Sequence, residues 1–161
     1  MAFIVKCGNR HILQCLSSYK KGKKAALAYE LAISTTTQEL YWINGPYPAG
    51  ECNDIIMFQR GGLQRYLKAH GKLAIADAIY AKAGGATCTP HGKYDTKSSN
   101  MYKRRARAKM ESFNGRIKSF AILSDTFRVT SNRSLKHKMA FEAVCVTVQY
   151  QMENGSPIFE V

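Results

Sequence analysis

No aspartate precedes Asp54, and over the whole chain acids are few: 11 Asp and Glu against 24 Lys and Arg, a formal net charge of +13. The missing early aspartate means that a metal site requiring an Asp on the first strand is incomplete. The cation excess points to a polyanionic partner, nucleic acid first and an anionic membrane surface second. A basic protein with no such partner is the plainer alternative. No run approaches the ~20 apolar residues of a membrane-spanning helix, and the apolar stretch in MAFIVKCGNR is too short for a secretory signal. A nuclear or cytoplasmic, non-secreted location with no membrane partner follows. Cys7, Cys15, Cys52, Cys88 and Cys145 are odd in number and irregular in spacing, which is no disulfide framework. They read as reduced, several of them as small core residues. Cys7-x3-His11 and Cys88-x2-His91 lack the close pairs of structural zinc sites. There is no Walker-type glycine loop, no cysteine with a nucleophile's partner pattern and no internal repeat.

What is present fits one domain spanning residues 1–161, with 45% apolar residues and length enough to bury a core. MAFIVK predicts a first strand, and residues 14–26 a basic loop or strand edge. Leu27, Tyr29, Leu31 and Ile33 alternate with Ala28, Glu30 and Ala32, the period of a half-buried strand. TTTQ turns the chain into ELYWI, completing a hairpin, and NGPYPAG reads as a loop. A helix from a cap at Asn53 towards His70 follows, weakened at Gly61 and Gly62. KLAIAD is apolar on both alternating sets, as in a central strand covered on both faces. Residues 81–101 read as a long loop of the kind often tied to function. Ala106, Met110, Phe113, Ile117 and Phe120 make one apolar stripe of a helix over 102–120. Ser131 or Asn132 caps a last helix, although Val144, Val146 and Val148 also alternate as in a strand. The expected fold class is α/β: an antiparallel three-stranded start, a central strand and flanking helices, the outline of an RNase H-like fold.

Two acids stand where chemistry is plausible. Asp77 closes a buried strand, where ligands enter open α/β sheets; an Asp there serves equally well as a turn cap. Glu111 sits among cations in KRRARAKMESFNGRIK, sharing a polar stripe with Arg104, Arg107, Asn114 and Lys118. It reads either as an i, i+4 ion-pair partner of Arg107 or as a metal ligand whose neighbours hold DNA phosphates. Mg²⁺ takes a few carboxylate oxygens and shares the rest with water and phosphate, and paired ions serve phosphodiester transfer. KRRARAK also resembles a nuclear localisation run or a merely solvated face; if its helix packs into the domain, only the outer face with Arg105, Lys109 and Arg116 is freely available.

Five segments in order resemble the endonuclease domain of eukaryotic DDE transposases of the PIF/Harbinger-like group: YELAIST, YWINGPYPAGECNDIIMF, ADAIY, RARAKMESFNGRIKSFAILS and KHKMAFEAVCVTVQYQMENGSPIFEV. Together they cover roughly residues 18–161. The resemblance implies an RNase H-like fold that cuts and joins DNA with Asp, Asp, Glu and Mg²⁺ or Mn²⁺. It implies Asp77 as the second catalytic and metal-binding Asp, Glu111 as the Glu, and Asp54 as an auxiliary acid. It also implies phosphate contacts from Asn114 and Lys118 beside Arg104 and Arg107. The first Asp's nearest counterpart lies in VKCGN, at Lys6. The expectation is therefore an N-terminally truncated transposase-derived domain that binds DNA with its nuclease impaired. The alternatives are a non-catalytic DNA-binding or assembly module, as in a domesticated transposase, and an inactive remnant. Its expected partners are DNA and either further copies of itself or a separate DNA-binding protein.

Overall fold

The twofold alternation from Leu27 to Ile33 forms the middle of β3 (Ala25–Ser34), a strand with neighbours on both edges. The computed structural model describes residues 2–7, 11–13, 25–37, 39–48, 52, 54–89, 95–124 and 131–158. In it, β1 (Ala2–Cys7) and β2 (His11–Leu13) lie end to end along one edge of β3, and β4 (Leu40–Pro48) along the other; all three are antiparallel to it. β5 (Leu73–Ile75) adds to β1 in parallel, with Ile4 beside Ile75, and β6 (Thr87–Cys88) adds to β5 in parallel. The sheet order is β4–β3–β1–β5–β6, and the fold is mixed α/β.

Helices cover both faces. Leu27, Tyr29, Leu31, Ile33 and Ile75 pack against α3 (Lys97–Lys118) and α5 (Arg133–Glu153), with Leu123 of the short α4 (Ala121–Ser124). Ala28, Ala32, Ala74 and Ala76 face α1 (Asp54–Arg60) and α2 (Leu63–Ala69). β3 is thus buried on both faces rather than half-buried. Alanines let α1 and α2 approach closely, and Glu30, fully buried among them, accepts from Trp42 Nε1 at 2.9 Å. The expectation for KLAIAD holds: Ala74, Ile75 and Ala76 are all buried.

Local chemistry explains the connections. Ser34 Oγ accepts from the Thr36 and Thr37 amides and closes the β3–β4 turn. Lys109, buried on α3, donates its Nζ to the carbonyl of Thr35 at 3.2 Å, tying that helix to the turn. The helix expected over 53–70 is broken in two at Gly61–Gly62. Gly62 has φ +100°, and no Cβ fits at Gly61.

Three expectations are corrected. NGPYPAG does not begin a loop at Asn44, because β4 runs on to Pro48; as an outer strand it tolerates prolines. Residues 81–101 are not one loop: they hold the end of a 3-10 turn (Ala78–Ala83), then β6, then the first turns of α3. α3 begins at Lys97 because Thr96 Oγ1 accepts from the Ser99 amide at 3.1 Å. The expected last helix holds, capped at Asn132 and running through 144–148, where His137, Phe141, Val144, Cys145, Val148 and Met152 form one buried face of α5. Asn53, residues 14–24, His91 and the connector from 125 to 130 lie outside the described residues.

Candidate functional site at the ends of β1 and β5

β5 ends in a buried run, and Asp77 is the first residue beyond it to reach solvent. Its Oδ1 accepts from the Ala78 amide at 2.7 Å, capping the 3-10 turn, and lies 3.3 Å from Nη2 of Arg107. Asp77 thus caps the turn that follows the buried strand. The carboxylate is about 61% exposed, so the ion pair contributes little to stability. Its value is positional: it shows that the Arg107 turn of α3 stands over the end of β5.

Glu111 is exposed one turn further along α3. At 100° per residue, Arg104, Arg107, Glu111 and Lys118 lie within about 60° of one another around the axis. They form a polar border beside the buried stripe of Ala106, Met110, Phe113 and Ile117. Asn114 departs from the expected phosphate-binding set. It is buried, with 1% exposure, so it belongs to the core side of that border.

β1 supplies the third element. Carrying its parallel register two residues past the Ile4–Ile75 pair places Lys6 level with Asp77. Lys6 pairs with Leu31 of β3, a residue of the α3 face. α3 packs against both β1 and β5. The sequence-predicted Asp77 and Arg107 therefore meet where β1, β5 and α3 come together, and Glu111 lies one turn further along α3. Asp54 is placed differently: it opens α1, in the layer covering the opposite face of the sheet.

These residues do not fit a pair of divalent ions. Among the described residues, no three His, Cys, Asp or Glu side chains are grouped to hold a metal. Asp77 is already engaged by an amide and a guanidinium. A lysine stands at the β1 position level with it. β1 carries no Asp or Glu, so it offers no carboxylate to bridge two ions.

α3 carries Lys97, Lys103, Arg104, Arg105, Arg107, Lys109, Arg116 and Lys118 against the single acid Glu111. Three of these cations serve the fold. Lys103 donates to Asp95 Oδ1 at 2.6 Å and to the Thr89 carbonyl at 3.1 Å. Lys109 is buried, which corrects its expected place on the free face. Arg116 donates to the carbonyls of Ser156 and Pro157, so it too is not freely available there. Lys97, Arg104, Arg105 and Lys118 are exposed, with Arg107 half-buried at the Asp77 contact.

Among the described cysteines, Cys52, Cys88 and Cys145 are not poised as nucleophiles. Burial, then the Glu142 charge, pushes Cys145 up to about 12, and burial is also the leading cause that raises Cys88 and Cys52. No family model, curated protein or solved structure matches the chain. No described helix is long and apolar enough to cross a membrane.

Proposed function

We infer that the chain is an RNase H-like domain derived from a DDE transposase of the PIF/Harbinger-like group, and that it holds DNA along α3 without cutting it. One observation carries the non-cutting half: the register that sets Lys6 level with Asp77, whose carboxylate is tied to Arg107. β1 has Lys6 at that register position and no Asp or Glu anywhere along it, so it lacks the carboxylate that two-ion phosphodiester chemistry needs. The fold half is supported by the antiparallel trio β4, β3 and β1 and the helix-linked parallel strand β5, as well as by the five ordered segments described above.

DNA binding follows from the same helix. Arg104, Arg105 and Lys118 are exposed, and Arg107 offers a guanidinium at the site's rim. Such side chains neutralise phosphates and release condensed counterions. About four phosphate contacts predict a slope of about −4 for log affinity against log salt on duplex DNA. Arg104→Ala with Lys118→Ala is expected to make that slope shallower by about 2. Asn114, being buried, contributes nothing to it. A filter-binding or fluorescence-anisotropy titration across salt checks this. Absence of DNA retention at low salt, or a slope untouched by the double substitution, would remove the reading.

A further inference from the structure

β4 carries one residue too many for its partner. Ala32 pairs with Trp42 and Ile33 with Leu40, so Tyr41 is the extra residue of a bulge. Bulges re-aim side chains. Here the Tyr41 ring comes within 6.0 Å of Lys72 Nζ, which is also 5.9 Å from the Tyr66 ring. Trp42 lies over the start of α2, where a Cβ at Gly62 would stand 3.6 Å from its ring. The Trp42 and Tyr66 centroids are 6.2 Å apart, and those of Tyr66 and His70, one helical turn on, 4.3 Å. These rings are fixed in place. Trp42 Nε1 donates to buried Glu30, His70 Nδ1 donates to the Tyr66 carbonyl at 2.8 Å, and Trp42 and Tyr66 rest against the core. Tyr41 and His70 are exposed, and Trp42, Tyr66 and Lys72 half-buried, so the strip keeps contact with solvent.

The surroundings are cationic. Residues 55–76 hold Arg60, Arg65, Lys68 and Lys72 and no Asp or Glu. Of the acids on and beside β3 and β4, Glu30 is fully buried, and exposed Glu39 accepts from Thr37 Oγ1 at 2.7 Å. Arg65 is exposed next to Tyr66. Rings interleaved with cations match a strand of unpaired bases, whose faces stack on the rings while its phosphates meet Arg65 and Lys72. A duplex hides its base faces and gains nothing from the rings.

We propose that Tyr41, Trp42, Tyr66 and His70, with Arg65 and Lys72, form a stacking platform for single-stranded DNA. Trp42 and Tyr66 belong to the α1–α2 face of the sheet, opposite α3. That the strand is DNA rather than RNA rests on the reading of α3; the platform itself does not. Trp42 is the chain's only tryptophan, so its fluorescence reports on this surface and not on α3. Titrating the purified chain with an oligomer of about twelve thymidines should quench it, and an abasic oligomer of equal phosphate count should bind at least about tenfold more weakly. Tyr41→Ala should weaken thymidine binding about tenfold, and Tyr41→Phe, which keeps the ring, should restore it. Tyr41 is 43% exposed, so the thermal melt of either variant should match the parent's. No quenching, equal binding of the abasic oligomer, or Tyr41→Ala binding as the parent does would each overturn the platform. A uridine RNA oligomer bound more than about tenfold tighter would overturn DNA as its strand. Duplex retention without quenching by thymidine would sink the platform alone, and quenching without duplex retention the α3 reading alone.

Discussion

Phe141→Ala is expected to destabilise the protein by about 3–5 kcal/mol. Phe141 is fully buried on α5, and its ring lies on that of Tyr29 with centroids 3.8 Å apart and planes within 12°. Tyr29 in turn is hydrogen-bonded to His137 Nδ1 at 2.7 Å, one turn back along the same helix. Burial, aided by the Glu142 and Cys145 charges, raises the Tyr29 hydroxyl well above its usual range, so it stays neutral. The pair thus fastens α5 to the central strand through a stack and a buried hydrogen bond. Truncation leaves a ring-sized void under β3 and removes the stacking contribution. Since a domain's whole stability is about 5–15 kcal/mol, the change should lower the melting temperature by roughly 6–20 °C. The exposed control Val146→Ala should stay within about 0.5 kcal/mol of the parent at dilute concentration. A melting shift for Phe141→Ala no larger than the control's would show that α5 is not held as described.

Gly61→Ala is expected to cost about 2–3 kcal/mol, at the upper end for overpacking. A Cβ there would stand 2.2 Å from Nδ2 of Asn44 and 2.5 Å from the Met57 carbonyl, with Glu30 Oε2 at 3.2 Å. None of these can yield cheaply. Asn44 Nδ2 donates to Tyr47 Oη and to the Gly61 carbonyl, and the Met57 carbonyl accepts from the Gly61 amide. Moving them disturbs the polar set around buried Glu30 as well as the joint between α1 and α2. Gly115→Ala gives the opposite sign. That glycine lies inside α3 with nothing within 4 Å of its added Cβ, so alanine should stabilise by up to about 1 kcal/mol. Chemical denaturation of both variants checks the pair, and equal effects would contradict it.

The sequence was most legible where one period dominates. The alternation of Leu27, Tyr29, Leu31 and Ile33 and the stripe of Ala106, Met110, Phe113 and Ile117 both lie in the core as expected. The end of KLAIAD and Arg107 of α3 came together at Asp77, because β5 ends under that helix. Other features carried no periodic signal. β6 is two residues long, too short for any period, and exists only because β5 offers it a free edge. Lys109 reads as a cation on the free face, yet it is buried and its ammonium ends on the Thr35 carbonyl. Asn114 sits at the seam between the two stripes, where a few degrees of helix rotation decide burial. The two-sided burial of β3 was hidden by alanine, which is compatible with either face.

The proposed reading is that the chain holds DNA along α3 and lacks, at the ends of β1 and β5, the donors for cutting. Its most direct measurement is nicking of supercoiled plasmid by the purified chain with Mn²⁺ at low salt, where DNA binding is strongest. The expected result is plasmid retained by the protein and left intact. Robust nicking by the parent chain, abolished by Glu111→Ala, would contradict it.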